Sequence, residues 1–322
     1  MAFGGGGELD AAGIVEPALR AGYLACRSLN ARHGRTYHLA TLLLPPGKRP
    51  YVHALYGFAR YADDLVDDVD HVGMPSRVDR FAQWSNRFLE DLYLCRSSDP
   101  VRAAVIDTIR RWDLPHDYFV CFLDSMRADL TVTEYQTFDE LHRYMWGSAA
   151  VIGLQMLPIL GRADPGIPWD VLTPYATDLG IAFQLTNFLR DIGDDLHRGR
   201  IYLPQESLRA FGVDVERLAQ RQIDRPVRQL LAHEVARARS YYRRAAPGID
   251  LVHPTSRDCL RTAATLYEEI LDRIERRDYD VFGPRICVGR ARRWIIGSRG
   301  LLGAWQVRHQ SPVGRETPTS TR

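Results

Sequence analysis

Apolar residues recur at helical spacing along almost the whole chain, and no segment shows the strict alternation of a half-buried strand. The pattern predicts a helix over 9–30, a looser stretch to the Pro45-Pro46-Gly47 break, and a helix over 49–70 that stops near Gly73 and Pro75. Further helices are expected over 77–95, 100–112, 115–130, 137–160, 168–196, 214–245, 255–276 and 284–307. Long helices joined by short connections imply an all-α bundle around a central cavity. No repeat, heptad register or long linker divides the sequence. Residues 1–310 are therefore expected to form a single domain, followed by a polar, disordered tail over 311–322.

Composition narrows the class. With 45% hydrophobic and 25% charged residues the chain reads as an ordinary soluble protein, and a net charge of +2 gives no case for nucleic-acid binding. Lys48 is the only lysine, so arginine supplies nearly all of the 42 basic residues. Five scattered cysteines without a CxxC pair suggest reduced thiols, not a zinc site or a disulfide framework. The N-terminus lacks a signal-peptide pattern, and no stretch approaches the ~18 apolar residues of a membrane span. A cytoplasmic protein is expected. The mixed basic and apolar stretch within 285–307 suits either a peripheral membrane contact or packing on the bundle.

Two acid-rich segments carry the chemistry. The first runs Tyr56-Gly-Phe-Ala-Arg60-Tyr-Ala-Asp63-Asp64-Leu-Val-Asp67-Asp68. The second runs Gln184-Leu-Thr-Asn187-Phe-Leu-Arg190-Asp191-Ile-Gly-Asp194-Asp195, then Arg198-Gly-Arg200-Ile-Tyr202-Leu-Pro204. Residues four apart share a helix face, so Asp63 and Asp67 form one oxygen rail and Asn187, Asp191 and Asp195 another. Like charges at that spacing repel, and a hard cation such as Mg²⁺, which bridges carboxylates to phosphates, would offset them. Arg60, Arg190, Arg198 and Arg200 offer forked contacts to phosphate oxygens. Carboxylates for metal plus arginines for phosphate are what departure of a diphosphate requires. An allylic diphosphate becomes a carbocation, which needs a dry cavity with aromatic faces. Tyr56, Tyr144, Trp146, Phe183, Tyr202 and Tyr267 are candidates for that lining.

At these motifs, and across roughly residues 20–290, the chain resembles the squalene and phytoene synthase family, the head-to-head trans-isoprenyl diphosphate synthases. Tyr144-Met-Trp-Gly-Ser-Ala-Ala-Val-Ile-Gly153 and Tyr279-Asp-Val-Phe282 look most like bacterial phytoene synthases. The resemblance implies an isoprenoid-synthase-type bundle that joins two geranylgeranyl diphosphates, through prephytoene diphosphate, into phytoene. It implies Mg²⁺, or Mn²⁺, on Asp63, Asp67, Asn187, Asp191 and Asp195, and no NADPH. It assigns diphosphate or cation contacts to His33, Arg35, Thr36, Tyr56, Arg60, Gln184, Arg190, Arg200, Tyr202 and Tyr267. Two positions depart from the family's usual residues: Gly34 stands where Ser is common, and Ala128 where Met is common. The alternatives are a C15-using dehydrosqualene or squalene-type synthase, or a presqualene diphosphate synthase. Thr41 and His53 resemble cavity-wall sites that larger aromatics fill in C15 enzymes, which favours the C20 substrate.

Overall fold

The computed structural model describes residues 5–68 and 75–310, so the expected 311–322 tail lies outside the described residues. The chain begins with α1 (Gly5–Ala11), α2 (Pro17–His33), α3 (Arg35–Thr41), α4 (Arg49–Asp67) and α5 (Arg77–Tyr93). It continues through α6 (Pro100–Trp112), α7 (His116–Ala128), α8 (Phe138–Met145), a wide π turn over Trp146–Ala150, and α9 (Val151–Leu160). Then come α10 (Trp169–His197), α11 (Gln205–Ala210), α12 (Val215–Ala219), α13 (Arg225–Ala245), α14 (Pro254–Arg276) and α15 (Arg290–Gln310). The expected all-α class holds. Among the described residues the only β pairing is two isolated bridges, Glu134 to Ile201 and Arg162 to Val252.

Local chemistry sets the helix starts. Asp99 caps α6 by accepting from the Arg102 amide at 2.8 Å, and Asp224 caps α13 by accepting from the Val227 amide at 3.0 Å. A proline stands in the first turn of α2, α4, α6, α13 and α14, where a missing amide hydrogen costs nothing. Three expected helices are shorter or divided. The first breaks at Gly13, whose φ of 67° turns the chain between α1 and α2. The 214–245 helix breaks after α12, where Arg221 takes a φ of 56°. The last helix begins at Arg290, not 284.

Two apolar cores meet in this bundle. One gathers α2, α4, α5, α6, α7 and α9 around Phe58, which touches Phe88, Phe119 and Phe122 at ring separations of 4.5, 5.4 and 5.2 Å. The other gathers α10, α13 and α14 around residues such as Leu230, Leu266 and Leu271. Phe183 on α10 packs against both. A cavity of about 280 Å³ opens along that seam. At the end of the chain, α15 lies on α14 and α3, where Arg292 bonds Glu269 at 3.1 Å. Its outer side leaves Trp294, Leu302 and Trp305 exposed.

Candidate active site

The two rails follow Tyr56 and Gln184, which line the cavity, along α4 and α10; that end is its mouth, and arginines join the rails there. After α10, Gly199 takes a φ of 73° and reverses the chain, a turn in which a side chain would be strained. The reversal sends Arg198 and Arg200 back to Asp67 on α4, each donating at 2.8 Å to a different carboxylate oxygen. Within the first rail Arg60 bonds Asp63 at 3.0 Å and also Asp64. On the second, Asp191 accepts from Arg190, and Arg285 adds two parallel bonds of 3.0 and 2.9 Å. Among the described residues no three carboxylate, imidazole or thiol groups converge closely enough to hold an ion, and guanidinium groups occupy the Asp67 and Asp191 carboxylates.

Charge compensation is uneven. Burial opposes ionisation of Asp191, but the bonds from Arg190 and Arg285 prevail and hold it below the usual carboxylate range. Burial first, then the neighbouring Asp191 charge, pushes Asp195 up to about 7 despite Arg198 and Arg200. Asp63 moves the same way through burial and Asp67. Half of its side chain faces the solvent of the mouth, which weakens the effect. Beside them the buried Asn187 Oδ1 has no hydrogen-bond partner, while its amide nitrogen reaches Gln184 at 3.4 Å. Hard oxygen donors with surplus negative charge and an unsatisfied amide oxygen suit a divalent cation such as Mg²⁺.

Below the mouth the cavity is walled mostly by apolar side chains, with Tyr37, Thr41, Tyr56, Phe183 and Gln184 among its lining. Tyr56 and Gln184 thus connect it to both motifs. Not every expected aromatic reaches it. Tyr267 lies behind Phe183, ring centroids 4.5 Å apart, and beside Arg190. Tyr144 and Tyr202 belong to a separate stack in which Tyr202 lies 4.2 Å from Phe188 and nearly parallel. Trp146 is on the outside, 39% exposed, where the π turn carries it away from the seam. His53 is fully buried behind the wall and does not line it. Ala128 is also absent from the lining, so that departure leaves the cavity volume alone. His33 and Arg35 are exposed and Thr36 half-buried; none of the three lines the cavity, although Tyr37 beside them does.

Gly34 has a steric reason. A Cβ there would lie 2.6 Å from the Tyr56 ring and 2.6 Å from Asn30 Oδ1, far inside contact distance. A serine could enter only if both Tyr56 and Asn30 moved.

Two groups at the site were not legible as such. Arg285 stands in an irregular loop 94 residues from its partner Asp191, with no spacing signal to mark it. Asp129, just past α7, is buried between the Tyr144 and Tyr202 hydroxyls, which donate to it at 2.6 and 3.1 Å. Its only sequence signal is an acid closing an apolar helix.

A model of the squalene/phytoene synthase family matches residues 30–292. The chain belongs to that family. Among squalene/phytoene synthase relatives, the phytoene synthase of Arthrospira platensis is 37% identical over 84% of this chain and 90% of its own. The 15-cis-phytoene synthase of Synechococcus elongatus is also 37% identical, over 84% and 89%. A chloroplastic phytoene synthase of Daucus carota is 36% identical over 94% and 76%. Among solved structures, a dehydrosqualene synthase with a bound ligand superposes with a TM-score of 0.79 at 26% identity, covering 91% of this chain and 98% of that one. The squalene synthase HpnC of Alicyclobacillus acidocaldarius gives 0.74 at 27% identity, covering 84% and 99%. The fold is therefore the one expected from the motifs, and membership implies an isoprenyl diphosphate substrate. Among the described residues no helix is long and apolar enough to cross a membrane.

The raised Asp195 carboxyl sets a pH dependence in metal-free protein. The unfolded chain releases this proton near the ordinary value of 3.8, whereas the folded state keeps it to about 7. Between those values the folded state binds more protons, so rising pH removes stability through this group. Relative to wild type, Asp195→Asn should gain at least about 2 °C in Tm between pH 4 and pH 7.5 with EDTA present. Thermal melts at both pH values check this. Mg²⁺ should shrink the gain.

Proposed function

We propose that this protein is a phytoene synthase, joining two geranylgeranyl diphosphates head to head. The observation that carries the reading is the junction of acid and arginine rails with an apolar seam, in a chain whose relatives of that name match most of its length. In the first half-reaction the C1–O bond of one substrate breaks and its electrons leave with diphosphate. The allylic cation is captured by the double bond of the second substrate, and proton loss closes a cyclopropane, giving prephytoene diphosphate. Loss of the second diphosphate, rearrangement and a further proton loss give phytoene without a reductant.

The residues divide this work. Asp63, Asp67, Asn187, Asp191 and Asp195 would hold Mg²⁺, or Mn²⁺ in its place, which supplies positive charge for the diphosphate leaving groups. Arg60, Arg190, Arg200 and Arg285 now rest on carboxylates, and their forks match diphosphate oxygens equally well. We assign His33, Arg35 and Thr36 to the outer edge of the same diphosphate site, on the strength of their place beside Tyr37. Tyr56, Tyr37 and Phe183 line the cavity and offer aromatic rings to the cation, with Tyr267 supporting Phe183 and Arg190. Tyr202 and Tyr144, clamped by Asp129, form a rigid stack away from the cavity and beside Arg200. The described apolar walls keep water from the cation. The outer side of α15, with Trp294, Leu302 and Trp305 near Arg290 and Arg293, suits an anionic lipid surface into which a C40 hydrocarbon can pass.

Incubation with C20 diphosphate and Mg²⁺ should yield a C40 hydrocarbon by mass spectrometry, and Asp67→Ala should lower its rate by about 10²-fold or more. Longer-chain diphosphates, a cyclic C20 hydrocarbon, or a C30 product made only from C15 diphosphate would each replace this reading. Thr41→Phe should shift competition between the two substrates toward C15, because Thr41 lines the cavity; an unchanged product ratio would remove Thr41 from chain-length choice. Deleting 289–322 should reduce co-flotation with anionic vesicles, and equal flotation would rule out a lipid role for α15.

A further inference from the structure

Behind the cavity wall runs a buried polar string that the proposed machinery does not use. Glu8 on α1 accepts from Arg49 at 3.0 Å and Arg27 at 3.1 Å, and stands 3.9 Å from His53 Nε2. The other ring nitrogen, His53 Nδ1, is 3.0 Å from the Asn30 amide nitrogen. Asn30 belongs to the cavity lining, has no exposed surface, and its Oδ1 has no partner. An apolar residue would be the ordinary occupant of such a wall, because an unsatisfied buried carbonyl is costly.

The contact with His53 sets which way the amide points, its nitrogen lying 3.0 Å from Nδ1. His53 Nε2 makes no hydrogen bond. The Glu8 carboxylate 3.9 Å from it, itself held by Arg27 and Arg49, favours a proton there over one on Nδ1, so Nδ1 presents a lone pair to the amide. A lone pair calls for the amide NH₂, and the carbonyl oxygen must face away from His53. Burial and the neighbouring His38 hold His53 far below the usual imidazole range, at about 3, so this arrangement persists at working pH. The oxygen lies toward Gly34 and Tyr56, since both it and the Tyr56 ring come within 2.6 Å of the point a Gly34 Cβ would occupy. Tyr56 is one helical turn from Arg60, so the negative end of the dipole is at the diphosphate end of the cavity. The missing side chain at Gly34 leaves the room this geometry needs.

We propose that the Asn30 carbonyl stabilises the carbocation formed when diphosphate departs, with His53 and Glu8 as positioning residues that aim it. The proposal rests on the carbocation chemistry argued above. It predicts recognition of a positive charge in the cavity without turnover, and a binding experiment can therefore test it alone. A C20 prenyl tertiary amine, cationic at pH 7, and its carbon isostere would be titrated calorimetrically into the full-length wild type, Asn30→Leu and His53→Leu. The preference for the ammonium over the isostere should fall about tenfold in Asn30→Leu and several-fold in His53→Leu, with affinity for the isostere held. In turnover, Asn30→Leu should lower kcat about tenfold with little change in KM. An unchanged preference in folded Asn30→Leu overturns the proposal; should that variant not fold, an unchanged preference in His53→Leu does so. Product analysis of the wild type tests the underlying reaction separately.

Discussion

The bond pair from Arg198 and Arg200 to Asp67 is the constraint on which the site depends. It ties the end of α4 to the turn after α10, across 131 and 133 residues of sequence. Without it, acids on two helices would face one another across a cleft with too little positive charge. Arg60, Arg190 and Arg285 extend the same compensation along both rails, and Asp195 is the rail carboxyl that burial and the Asp191 charge push furthest up, to about 7. Arginine suits this duty because its planar fork grips carboxylate and diphosphate with the same geometry and stays charged throughout. The resting protein thus holds its acids in place with the groups proposed to meet substrate.

Much of the architecture could be read from periodicity because helices are local. Prolines at helix starts and capping acids such as Asp99 and Asp224 mark boundaries within a few residues. Two of the misjudged boundaries share one cause. Apolar spacing continued through Gly13 and past Arg221, so the pattern looked unbroken although left-handed backbone at each point turns the chain. The helix expected from 284 fails at its start for another reason. Residues there serve the mouth, where Arg285 reaches Asp191 from irregular backbone.

The rails themselves were legible, since spacing alone places Asp63 with Asp67 and Asn187 with Asp191 and Asp195. Partners drawn from distant segments were not. Nothing near Asp129 announces that two tyrosine hydroxyls will converge on it, and nothing near His53 announces Glu8. Assignments that required knowing which side of a helix meets the cavity were the weakest. Trp146 and His53 both sit on helical segments bordering the seam, yet one faces solvent and the other a buried acid.

The seam where Phe183 touches both cores has a consequence for selectivity. Interiors normally close at crystal-like density, and here the polypeptide leaves its own packing unfinished. On the proposed function, a prenyl tail would complete that packing. One too short would leave a void and forfeit dispersion contacts, whereas one too long would have to force helices apart. Length can then be judged by the same forces that hold the fold together, with no dedicated recognition group at the hydrocarbon end.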